Sequence, residues 1–375
     1  MDLSYLPGLL IILILGVSLW VFFRNLKISA VLLLLLGFLL SKLNIYGIVF
    51  TIPIEVLAFA SAFALIAVVF ESFSNVAHAD IDTYAEHAFK TTVILLILNT
   101  LFLSLVINLI FHTGIMLSLI LSVILSGIDF LHQEKSKVSE LLRHESVFTS
   151  PAVLLLPFLF LALLQLDSSQ FFDLFAYLSP FLQKIIIGIG SGVFFGLLIF
   201  NFIKKINSET LAIILLVPSA ILTYVVSEHL AGSGILAVAV LGIFFGKVRI
   251  HLKAELKSRS RVFSSFMEIM VFIPLGYLIS GLSALLVLKA LLIYLIAVIL
   301  RFVGLSLSNL NEHLPRNDLL YLLFGGSKGI SLGAVALMLS FTLSDDLINL
   351  ILLFVIFSTV SSGISTFLYQ KKNYL

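Results

Sequence analysis

The residues able to do chemistry in this chain are few, and they stand where charge is costly. Glu71, Asp129, Glu145, Glu268, Lys289, Arg301 and Lys328 interrupt long apolar runs, and Glu55 lies near the start of another. A charge at the centre of a bilayer costs about 2.5–3.5 kcal/mol on insertion scales. Such groups therefore mark ion pathways, buried pairs or the edges of spans. Asp129 follows Ser126-Gly127-Ile128, and Lys328 lies within Gly325-Gly326-Ser327-Lys328-Gly329. A lone buried carboxylate binds either a proton or a small cation, and each neutralises it. Only the neutral form of such a group crosses an apolar barrier cheaply. The plainer reading of Asp129 is a helix-ending acid at the membrane face. Glu71, at the end of the run 62–70, is either a pathway acid or a cap on its span. Lys289 and Arg301 share one span and are read as snorkelling toward opposite faces. Glu268 is equally a structural residue or part of a moving interface.

Other reactive patterns are thin. His78, His87, His132 and His144 read as ordinary loop histidines, and Asp80, Asp82 and Glu86 as a solvated loop. There is no Cys, which removes disulfides and thiolate metal sites. No phosphate-binding loop, metal-ligand spacing or nucleophile arrangement is found. We therefore expect no enzyme, no cofactor and no metal beyond a transported cation. The absence of a basic run argues against nucleic acid.

The elements that carry these residues are membrane helices. The chain has 375 residues, 61% hydrophobic and 11% charged, with a mean hydropathy of +1.20. Soluble domains carry about 25% charged residues. The apolar runs have the length of bilayer spans, about 20 residues each. We place about thirteen of them, near 3–23, 28–43, 48–71, 88–111, 115–131, 145–166, 181–203, 211–229, 235–247, 262–281, 284–306, 318–341 and 346–369. Backbone groups in lipid need internal hydrogen bonds, so the spans are helical. The first run lacks a basic leader and a small-residue cleavage site, so it reads as a membrane helix rather than a signal peptide.

Orientation follows from the cationic residues. Odd-numbered loops hold Arg24, Lys27, Lys90, Lys135, Lys137, Arg143, Lys204, Lys205, the run from Lys247 to Arg261, and Arg316; the tail adds Lys371 and Lys372. Even-numbered loops and their edges hold Lys42 and Lys184. The N-terminus is thus expected outside and the C-terminus in the cytoplasm. The lean loops suit a prokaryotic plasma membrane.

The spans also pair. Spans 1–6 and 8–13 match with an offset of seven, and an odd offset inverts topology. Inverted repeats are common in secondary transporters, whose sites lie at interrupted helices in matching positions. Span 5 is interrupted at Ser126 and Gly127, and its counterpart, span 12, at Gly325, Gly326 and Gly329. We expect one transmembrane domain, with a first repeat over about 1–170, a linking helix near 181–203 and a second repeat over about 208–375.

These motifs, in this order, resemble the sodium/proton exchanger branch of the monovalent cation:proton antiporters, over nearly the whole chain. Gly127-Ile128-Asp129-Phe130 resembles the family's Thr-Asp-Pro turn. Residues 142–150 resemble its Leu-x-x-Glu-Ser-x-x-Asn-Asp segment, and Gly325-Gly326-Ser327-Lys328-Gly329 its Gly-Gly-x-Arg-Gly. Residues 228–238, followed by Gly242 and Gly246, give the closest match, and Phe70-Glu71 resembles the acidic end of the third helix. The resemblance implies two broken helices, spans 5 and 12, crossing near the midplane of an alternating-access transporter. It implies exchange of protons for a monovalent cation, and a homodimer. Asp129, Glu71, Thr149 and Ser150 would then line the cation and proton site, and Glu145 would pair with Lys328. The chain departs from the family at Thr149-Ser150, which replaces the Asn-Asp pair, and at Lys328, which replaces an Arg. The first change leaves Asp129 as the exchanging acid. It also motivates a second reading, a non-exchanging homologue acting as a regulator or passive channel.

Overall fold

The computed structural model describes residues 18, 29–42, 44–45, 48–49, 54–76, 83–129, 136–164, 174–205, 209–248, 266–279, 281–308 and 315–373. The first expected span, apart from Ser18, and most of the basic stretch 247–261 lie outside them. So do His78, Asp80, Asp82 and His132.

The described chain is almost wholly helical. In order it forms α1 (Ser29–Lys42), α2 (Ile54–Val76), α3 (Thr83–Leu98), α4 (Ser104–Phe111), α5 (Ile115–Ser126), α6 (Lys137–Leu164) and α7 (Leu174–Lys205). There follow α8 (Glu209–His229), α9 (Gly234–Val248), α10 (Phe266–Tyr277), α11 (Ala284–Leu307), α12 (Arg316–Phe324), α13 (Ile330–Leu339) and α14 (Asp345–Asn373). A two-residue antiparallel pair, Asn44–Ile45 with Ile48–Val49, joins α1 to α2. Six stretches among the described residues are long and apolar enough to cross a bilayer; α1, α5, α9, α10 and α13 are shorter apolar helices.

Several boundaries differ from the expected spans. α2 continues five residues past Glu71, so that acid does not end its helix. α6 begins at Lys137 rather than near 145, because Lys137 to Glu145 keep a helical register with Val138, Leu141 and Leu142 buried. His144, expected in a loop, is buried in α6.

Burial separates the lipid-facing helices from the central ones. On α11, Leu285, Leu288, Leu292, Leu295 and Ile299 form an exposed stripe at alternating three- and four-residue spacing, the helical period of one face. α13 is the opposite case: Ser331 to Leu337 are all buried, as is Ile120 to Ser126 in α5. A helix apolar on every side belongs inside a bundle. Hydroxyls within spans mostly bond their own carbonyls three or four residues back, as Ser61, Ser122 and Thr223 do. Such groups are satisfied locally. α1 and α10 cross where a Cβ on Gly37 or Gly276 would strike the other helix's backbone carbonyl. Small residues at such points let membrane helices approach closely.

Candidate ion site at the crossing of two broken helices

α5 stops at Ser126, whose Oγ turns back to the Val123 carbonyl, and the chain runs extended through Gly127 (φ −55°, ψ 146°) to Asp129. α12 stops at Phe324, and α13 begins only after Gly329. The two interruptions cross as one antiparallel bridge between Asp129 and Ser327. Asp129 N–H donates to the Ser327 carbonyl at 2.8 Å, and Ser327 Oγ donates to the Asp129 carbonyl at 3.1 Å. Backbone groups freed by two broken helices are thus partly satisfied by each other, as a bilayer interior requires.

The crossing places opposite charges at opposite helix ends. The Asp129 carboxylate lies at the N-terminus of α13, where it accepts from Ser331 N–H at 3.1 Å. Ser331 Oγ lies 2.8 Å from both carboxylate oxygens, and Ser150 Oγ on α6 lies 3.0 Å from Oδ1. The N-terminal end of a helix dipole attracts an anion. Gly329 permits this approach, since a Cβ there would lie 2.6 Å from the Asp129 Cβ. Reciprocally, Lys328 Nζ donates to the Gly127 carbonyl at the C-terminal end of α5, which attracts a cation. Its ammonium also faces the Phe354 ring, 5.6 Å from the centroid.

A second ionic group lies beside the crossing. Arg301 donates through Nη1 and Nη2 to the two carboxylate oxygens of Glu145 at 2.8 and 2.9 Å. Its Nε and Nη2 also reach the Leu322 carbonyl near the end of α12, at 3.1 and 2.9 Å. This corrects two expectations. Glu145 is paired by Arg301 rather than Lys328, and Arg301 does not snorkel to a membrane face. The physical reason is geometric: a planar guanidinium meets both carboxylate oxygens at once, which an ammonium does not.

Asp129, Ser150, Ser126, Gly127, Gly325, Gly326, Gly329 and Lys328 therefore belong to one crossing. Thr149 is adjacent: its Oγ1 donates to the Glu145 carbonyl at 2.6 Å and lies 3.4 Å from the Ile128 carbonyl. Glu71 is half-buried in α2 and takes no part in the hydrogen bonds of Asp129. Ser331 and Ser327 were missed. Ser327 was visible only as the variable position of a glycine-rich motif, and Ser331 only as the second residue after it.

The oxygen set around Asp129 is one carboxylate and the hydroxyls of Ser150 and Ser331. Among the described residues no three His, Cys, Asp or Glu converge. Hard oxygen ligands with a single negative charge suit a small monovalent cation better than a divalent one.

A model of the family described as "Sodium/hydrogen exchanger, transmembrane" matches residues 9–372. The chain belongs to that family. As a sodium/hydrogen exchanger family member it is a multi-pass integral membrane protein, and its two broken helices cross as this family's resemblance implied. Its fold is similar to that of the sodium proton antiporter MjNhaP1 from Methanocaldococcus jannaschii, with a TM-score of 0.71 over 99% of this chain and 98% of that one at 18% identity. It is also similar to the low-affinity Na+/H+ antiporter NhaS1 of Synechocystis, 28% identical over 250 residues. That match spans 61% of this chain and 47% of the relative, about half of its length.

Proposed function

We propose that this exchanger-family member trades protons for a monovalent cation, Na+, K+ or Li+, by alternating access, with Asp129 as the exchanging acid. The observation that carries the reading is the setting of Asp129: one carboxylate between two helix breaks, held by two hydroxyls and one amide rather than by a cation. The Ser150 hydroxyl also lies 2.8 Å from the Ser146 carbonyl. Its proton can point there while its oxygen turns to a bound cation. When a proton occupies Asp129 instead, the same hydroxyls remain as partners. One acid trading one proton for one monovalent cation leaves the site charge unchanged, so exchange is one-for-one and electroneutral. The names of the two relatives agree with sodium as a cargo.

The same reading extends the arrangement to an inverted repeat of spans 1–6 and 8–13, with span 7 as the link. It places the N-terminus outside and the C-terminus in the cytoplasm of a prokaryotic plasma membrane, and assembles the protein as a homodimer. Glu71 is then a further acid along the pathway.

The test is a flux assay in proteoliposomes carrying an internal pH dye. Addition of Na+, K+ or Li+ outside is expected to alkalinise the lumen, because the entering cation drives protons out, and an outward cation gradient is expected to acidify it. Asp129→Asn is expected to abolish the signal. Unchanged flux in that variant removes Asp129 as the exchanger. The second reading, a passive channel or regulator, is favoured by Thr149-Ser150 standing where relatives are expected to carry Asn-Asp. It predicts a potential-driven current or no flux in the same vesicles.

A further inference from the structure

One polar group near the crossing is used by nothing described so far. Asn99 is 92% buried, with 8% of its surface exposed, and its Oδ1 has no hydrogen-bond partner. It opens the five-residue π-helical turn Asn99–Leu103 that joins α3 to α4. A π turn inside an α-helical span shifts the buried face and often marks a functional position. Here it keeps Asn99, Leu103 and Ile107 on the buried side. Asn99 lines a small cavity of about 30 Å³, room for a water or two, together with Ser126, Glu145, Thr149, Arg301 and Lys328.

Lys328 is the complementary group in that cavity. An ammonium has three donors. Among the described residues its nitrogen has one oxygen acceptor, Gly127 O, and one ring face, Phe354. The Lys328 ammonium, with N–H groups to spare, and the Asn99 side chain, with an unpaired acceptor, line the same small cavity. A metal ion does not suit it, since Arg301 and Lys328 both line it against the single carboxylate of Glu145. Water does: the cavity is polar and offers the two to four partners that a buried water needs. A bridging water is nearly as favourable as a direct hydrogen bond.

We propose that Asn99 and Lys328 form a hydrated site behind the crossing, in which Asn99 positions the ammonium through water. Removing the acceptor leaves the ammonium less well solvated and less firmly placed. The charged groups that bear on Lys328 are Asp129 from the first break, Glu145 from α6 and Arg301 from α11; Tyr294 lines the neighbouring cavity that Lys328 also faces. The consequence for transport rests on the exchange reading above, but the site itself does not.

Two measurements decide it. Thermal unfolding midpoints of the full chain in detergent are compared for the wild type, Asn99→Leu, Lys328→Met and the double variant. With Lys328 present, Asn99→Leu is expected to lower the midpoint by about 2–4 °C. With Met at 328 the same change is expected to cost less than about half of that, because the acceptor no longer serves a cation. Asn99→Ala serves the same cycle if the leucine variant does not fold. Equal costs in both backgrounds overturn the site, whether or not the protein exchanges ions. In proteoliposomes, Asn99→Leu is expected to lower the maximal rate about threefold or more with the half-saturating cation concentration held, and Asn99→Gln to restore it. A coupled midpoint with an unchanged maximal rate overturns the positioning role. Absence of flux from the wild type would instead fail the exchange reading and leave the unfolding cycle to decide the site.

Discussion

Asp129 and Glu145 are both acids inside the helical bundle, yet their partners differ in kind. Glu145 is held at both oxygens by the Arg301 guanidinium, and its side chain is 4% exposed. Asp129 is held by two hydroxyls and an amide and is half-buried. A carboxylate clamped by a fixed cation has no vacancy for a second one, and protonating it strands the guanidinium. A carboxylate held by hydroxyls can exchange proton for cation, because hydroxyls both donate and accept. The two settings thus separate an acid locked to a fixed cation from an acid whose partners can reorient.

The comparison can be broken most sharply by removing each charge in turn. Asp129→Asn is expected to bring cation-dependent proton flux to background while moving the unfolding midpoint by less than about 2 °C, since the amide still fits the hydroxyls. Glu145→Gln is expected to do the reverse in kind. Breaking a buried pair leaves the Arg301 charge uncompensated and costs about 3–5 kcal/mol, read as a large fall in midpoint and in folded yield. Gly329→Ala is the next largest. Its Cβ would press on Asp129, an overpacking of about 1–3 kcal/mol, and a fall in flux of about tenfold or more is expected. Smallest is Ser150→Ala, which removes one hydroxyl oxygen worth about 1 kcal/mol; a rise of about fivefold in the half-saturating cation concentration is expected, with maximal rate retained. Equal loss of flux from Asp129→Asn and Glu145→Gln at equal stability would erase the distinction.

Much of this arrangement was legible in the residues. The interruptions at Gly127 and at Gly325 to Gly329 stood out because glycine and charge together are rare within a span, and both are breaks in the structure. Asp129 and Ser150 were named together and are in contact. The reading failed where it needed to choose between partners. Lys328 and Arg301 are each a lone cation in an apolar run, and sequence alone gives no distance from either to Glu145. Ser331 was invisible for a related reason: it is one of many serines in spans, and most of those only bond their own helix.

Composition and hydropathy are enough to make the chain a bundle of membrane helices, and glycine beside charge marks two of them as broken. Hydropathy, span length and the cost of unpaired backbone in lipid leave little alternative, and each acts locally along the chain. Which charge meets which depends on how the helices pack. Lys328 and Gly127, or Arg301 and Glu145, lie far apart in sequence, and their pairing depends on how α5, α6, α11 and α13 pack. Coulombic and hydrogen-bond energies depend on distances of a few ångströms, and only the packed bundle fixes those.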